Sequence, residues 1–95
     1  MKNSEESMRL ARYLKDKRVE KGISQRNLAA KLNYATPQFI SNWERGVSKP
    51  PVETLKRLSS LIGANLKEME DIYLEQTLHE VAEDFRRKAR YGRAS

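Results

Sequence analysis

The chain has 95 residues, 34% charged and 38% hydrophobic, with a net charge of +6 at pH 7, a size that allows one small domain and an appended element. Cysteine is absent, which excludes disulfides and a thiolate metal site and suits a reduced compartment. No signal-peptide pattern and no apolar run of membrane-spanning length occurs, so the expectation is a cytoplasmic protein without a membrane partner.

The charge is unevenly spread. Residues 1–65 carry thirteen Lys/Arg against six Asp/Glu, residues 66–85 one against seven, and residues 86–95 five against none. A basic body fits nucleic acid through counterion release, although many soluble helical proteins are modestly basic too.

Residues 1–3 are expected to be loose. Ser4 is placed to cap a first helix, with Glu5 and Glu6 favourable at the positive end of its dipole. Leu10, Ala11, Leu14 and Arg18 fall on one face, and Gly22 stops the helix with a left-handed residue. Ser24 can cap a second helix, whose apolar stripe Leu28, Ala29 and Leu32 breaks at Asn33, a residue that tolerates left-handed backbone. Thr36 as cap and Pro37 at the first helical position then restart a helix over 36–45. Ile40, Trp43 and Glu44 share one side of it, with Gln38, Ser41, Asn42 and Arg45 on the other, and Gly46 ends it. A helix that exposes amides and hydroxyls suits the edges of DNA bases, because Gln and Asn bond adenine bidentately.

Residues 47–51 form a loop, since two prolines forbid helix before them and favour it just after. Val52, Leu55, Leu58, Ser59 and Ile62 mark a fourth helix closed by Gly63, and Asn65-x-x-Glu68 reads as a capping box that opens a fifth. The predicted core is Leu14, Ile23, Leu28, Ala29, Leu32, Ile40, Trp43, Leu55, Leu58 and Ile62. With no alternating strand pattern anywhere, the class is all-α.

Between Leu66 and Tyr91 there is neither Gly nor Pro. At about 100° per residue, Leu66, Met69 and Tyr73 cluster on one side of this helix, and Leu74, Leu78, Val81, Ala82, Phe85 and Ala89 on another. The first face can pack on the domain. The second finds cover only in another copy of the chain or in a bend that folds the helix back. The expected division is therefore a DNA-binding domain over 4–66 and an extended dimerisation helix over 67–91, with flexible termini at 1–3 and 92–95.

Catalytic chemistry is not indicated. His79 is the only histidine and sits among Glu and Leu, as a solvated surface residue would, and the acidic run from Glu68 to Asp84 reads as a solvated face. No spacing suggests a metal, a phosphate-cradling loop or a nucleophile, so neither enzyme activity nor a cofactor is expected.

The segments GISQRNLAAKL, PQFISNWERG and KPPVETLKRLSSLIG, in that order, resemble the phage lambda repressor and Cro class of helix-turn-helix regulators. The resemblance spans about Leu10 to Met69, and the turn Asn33-Tyr34-Ala35 is one residue longer than the family's commonest form. It implies a five-helix lambda-repressor-like domain, bacterial or phage-encoded, that reads the major groove of double-stranded DNA with helix 36–45. It further implies a partly buried pair between Arg18 and Glu44 and a phosphate-binding role for Gln25.

Gln38 and Asn42, four apart on one face, are the expected base readers, followed by Ser41 and Thr36. Phe39 can meet a thymine methyl or pack against Tyr34. Arg45, Lys49 and Arg26 are the expected phosphate ligands, and Leu74, Leu78, Val81 and Phe85 the dimerisation residues. The resulting expectation is a homodimeric repressor on a palindromic operator. The rival is an antitoxin-type autorepressor, or an interaction module, whose C-terminal helix binds a partner protein. Single-stranded RNA binding lacks an exposed aromatic platform.

Overall fold

The computed structural model describes residues 5–91, with side chains as far as residue 90. Five α-helices form, α1 (Arg9–Lys21), α2 (Gln25–Lys31), α3 (Gln38–Glu44), α4 (Leu55–Ile62) and α5 (Leu66–Tyr91), with 3-10 turns at Glu6–Met8 and Val52–Thr54. There is no strand among the described residues, as the all-α reading expects. Ser4, the expected first cap, lies outside them, as do residues 1–3 and 92–95.

The first four helices end by one device. A left-handed residue follows each of them, Gly22, Asn33, Gly46 and Gly63 in turn. The next residue then reaches back, as in Tyr34 N–H to Ala29 O at 2.9 Å and Val47 N–H to Asn42 O at 2.9 Å, so that the last carbonyls are satisfied at once. Asn33 manages this with φ 66°, because its short polar side chain tolerates a backbone that branched residues do not. Sharp ends keep α2, α3 and α4 short and let them wrap a single core.

That core contains Leu10, Leu14, Leu28, Ala29, Ile40, Trp43, Leu55, Leu58, Ile62, Met69 and Ile72. Ile23 and Leu32, expected inside, are only half-buried and pack against its edge, while Leu10, Met69 and Ile72 were missing from the expected set. The three additions share one cause. α5 packs against α1, α4 and the first 3-10 turn, so its Met69, Ile72 and Gln76 complete the interior. A boundary after residue 66 therefore cuts through one packed unit.

Gln76 explains how α1 begins without a local cap. Its Oε1 accepts a 2.9 Å hydrogen bond from Leu10 N–H, and its Nε2 donates to Glu80 Oε2 at 3.0 Å. A buried amide with both ends paired is inexpensive, whereas an orphaned helix-start N–H is not. Asn65 Oδ1 accepts from Glu68 N–H at 2.9 Å and caps α5. The reciprocal half of the expected box is replaced, since the Glu68 carboxylate accepts from Tyr13 Oη at 2.9 Å. His79 is not simply solvated either: it is partly covered, with Nδ1 3.0 Å from Glu6 Oε1.

From Leu74 onward, α5 carries an outer stripe that is bare. Leu74, Leu78, Val81 and Phe85 are 59, 67, 59 and 70% exposed. The helix does not bend back over them, and none of the described helices is long and apolar enough to cross a membrane.

Candidate nucleic-acid interface

The candidate interface is built on α2 and α3. Ser24 Oγ accepts from Asn27 N–H at 3.0 Å and starts α2 as its sequence requires. Leu28 and Ala29 pin that helix to the core, and Asn33 turns the chain toward α3. α3 spans Gln38–Glu44, shorter than the expected 36–45. Pro37 lies in the turn before it, and Thr36 Oγ1 still accepts from Gln38 N–H at 3.3 Å. Ile40 and Trp43 bury its inner side at 1 and 3% exposure, which fixes the rotation of the helix and hence which residues face out.

A buried ion pair locks that rotation. Arg18 Nε and Nη2 donate to the two Glu44 oxygens at 2.6 and 3.1 Å, and Arg18 Nη1 donates to Ile23 O at 2.7 Å. The two side chains are 11 and 4% exposed. A bidentate pair with its remaining valences satisfied is the form in which buried charge is tolerated. Gln25 joins it, with Nε2 donating to Glu44 Oε1 at 2.9 Å, so α1, α2 and α3 meet at one carboxylate.

On the outward side, the expected residues come together. Gln38 Nε2 donates to Asn42 Oδ1 at 3.1 Å, and Arg45 Nη2 donates to the same oxygen at 2.6 Å. Arg45 Nε reaches Ser41 Oγ at 3.3 Å. The lattice leaves Gln38 Oε1 as an acceptor and Asn42 Nδ2 as a donor with no partner among the described residues. The only carboxylate of α3, Glu44, is covered and paired, so the outer face presents amide, hydroxyl and guanidinium groups and no carboxylate.

Flanking residues divide. Arg26 is exposed at the start of α2. Phe39 is 52% exposed and lies against Tyr34 with ring centroids 4.8 Å apart, and Tyr34 in turn meets Trp43 edge-on at 5.9 Å. Lys49 instead has partners on α5. Its ammonium donates to Thr77 Oγ1 at 2.8 Å and Glu80 Oε1 at 2.6 Å and stands 5.3 Å from the Tyr73 ring centroid. The expectation of Lys49 at a phosphate thus meets a competing set of partners on α5. Sequence reasoning missed this because Lys49 and Glu80 are 31 residues apart and nothing local pairs them.

Residues 14–69, more than half of the chain, match the helix-turn-helix family. The chain belongs to the lambda repressor/Cro-like helix-turn-helix family. It is a DNA-binding helix-turn-helix regulator, and the α2-turn-α3 unit falls wholly inside the matched residues. The match begins within α1 and ends in the first turn of α5, so the helix-turn-helix assignment does not account for the helix beyond residue 69. No curated protein and no solved structure matches the chain at a significant level.

Proposed function

We propose that this helix-turn-helix protein is a sequence-specific repressor that binds double-stranded DNA as a homodimer, with α3 in the major groove. The observation that carries the reading is the outer face of α3, where Gln38 and Asn42 together offer one free acceptor and one free donor. The major-groove edge of adenine presents the complementary pair, a donor at N6 and an acceptor at N7. Ser41 and Thr36 extend the polar face, and Phe39 offers an apolar edge for a thymine methyl. Arg45 and Arg26 neutralise phosphates at either end, and Gln25, held at the start of α2, sets the register on the backbone. The bare stripe of α5 supplies the dimer contact, and two-fold symmetry calls for a palindromic operator whose occupancy denies polymerase the promoter. Selection from random duplexes with the purified protein tests this reading. A consensus of two inverted half-sites is expected, and recovery of unrelated sequences at uniform affinity would overturn it.

A further inference from the structure

The bare stripe is not featureless at its N-terminal end. Leu74 lies beside Val52, Leu55, Tyr73 and Glu70, and these residues line a shallow, mostly apolar depression between α5 and the 3-10 turn before α4. Val52 itself is 64% exposed. At the other end of the stripe stands Phe85, the most exposed of its four residues and the largest. The two ends are eleven residues apart, about 16 Å along the helix at 1.5 Å per residue. Charge follows the same polarity. The part of α5 up to Asp84 is acidic apart from Lys67, whereas Arg86, Arg87, Lys88 and Arg90 follow it.

We infer that α5 pairs antiparallel with α5 of a second copy, centred between Leu78 and Val81, and that Phe85 of each copy seats in the Val52–Leu55–Tyr73–Leu74 depression of the other. The inference rests on the homodimer reading above and gives it a geometry. Centring the pair there sets Leu78 against Val81 and Leu74 against Phe85 of the second copy, a spacing of four, three and four that forms a helix–helix seam. The same register brings Glu70 to the flank passed by Lys88 of the second copy, and Asp71 and Glu75 to the flank passed by its Arg86. Glu70 and Arg86 have no ion-pair partner among the described residues. A parallel pair would stack acid on acid and base on base along the whole seam, and like charges held together select against that arrangement. Charge thus chooses the direction, and the depression, which lies only near Leu74, chooses the register.

The chain has no cysteine, so Ala89→Cys accepts a single spin label on an exposed residue one turn beyond Phe85. The antiparallel register separates the two labels by nineteen residues, about 28 Å along the axis, whereas a parallel pair holds them side by side. Sedimentation of the intact chain comes first. A monomer at tens of micromolar overturns the homodimer reading itself. A dimer with adjacent labels, or with a separation that fits neither arrangement, leaves that reading standing and overturns the antiparallel register. Phe85→Ala is expected to weaken dimerisation by on the order of a hundredfold, as loss of a central aromatic anchor does. Val52→Glu lies off α5 on an exposed turn and is expected to weaken it at least tenfold. An unchanged dimer constant for Val52→Glu would show that Phe85 does not seat there.

Discussion

Gln25 and Glu44, nineteen residues apart, share a 2.9 Å hydrogen bond that ties the first turn of α2 to the last of α3. The same carboxylate is gripped from the other side by Arg18. The angle between the two helices of the motif therefore depends on one buried negative charge whose partners come from two other elements.

Removing that charge should be costly. Glu44→Ala leaves the Arg18 guanidinium covered and uncompensated, and is expected to destabilise by about 3–5 kcal/mol. The double replacement Arg18→Met with Glu44→Leu should recover most of that loss while loosening the set of α3. Urea unfolding of both variants measures it. A loss below about 1 kcal/mol for Glu44→Ala would mean that packing of Ile40 and Trp43 alone holds α3 in place.

Gln38→Ala should cost about 1–3 kcal/mol on the preferred duplex and relax preference at one base pair. The amide stands at the start of α3 with its oxygen unpaired among the described residues. Binding titrations on the selected operator and on a scrambled duplex distinguish the outcomes. Equal loss on both would remove Gln38 from base reading.

Arg45 and Lys49 straddle Gly46 yet face different partners, and their variants should behave differently. Arg45→Ala is expected to weaken binding to every sequence and to lower the salt slope by about one unit. Lys49→Ala should leave the slope unchanged and lower the thermal midpoint instead. Loss of its half-buried contacts, on the order of 1 kcal/mol, corresponds to roughly 4–8 °C for a domain of this size. A reduced slope for Lys49→Ala would show that phosphate draws its ammonium off Glu80.

Alkaline pH offers a test of the α1–α5 contact. Burial, aided by the hydrogen bond to Glu68 and that residue's charge, raises the Tyr13 hydroxyl from 10.0 to about 12. Tyr73, whose Oη donates to Pro50 O at 2.8 Å, is also raised, chiefly by burial. Above pH 10 the unfolded chain releases these protons while the folded one retains them, so the stabilising contribution is whole below pH 10 and is lost toward pH 12. Unfolding midpoints should fall across that window, and less steeply in Tyr13→Phe. Parallel falls in the two proteins would place the alkaline loss elsewhere.

Much of the motif was legible because its determinants are local. Ser24, Asn33, Gly22 and Gly46 act on their own neighbours, and the inner and outer sides of α3 follow from period alone. The Arg18–Glu44 pair came from the family resemblance rather than from periodicity, and the structure forms it. What local pattern could not supply were contacts between distant segments. Gln76 looks like one polar residue among many until Leu10 N–H is found beneath it, and Met69 and Ile72 look like part of an appendage until α1 and α4 are packed against them. The start of α3 was placed two residues early because Thr36 and Pro37 carry a helix-start signature. They use it in the turn, and the hydroxyl still serves Gln38 N–H.

The reach of Gln76 to the start of α1 bears on how the two halves of this molecule can be taken apart. A fragment that stops where the family match stops, at residue 69, would leave Leu10 N–H orphaned and take Ile72 from the interior. Its failure to bind DNA would report a damaged fold rather than a missing partner. Glu80 is an anchor on the inner side, holding both Gln76 and Lys49, and the stripe from Leu74 to Phe85 overlaps the same stretch on the outer side. Severing the chain before Glu80 therefore disturbs the packed domain together with the proposed seam. Side-chain changes confined to the outer face of an intact α5 leave that scaffold whole.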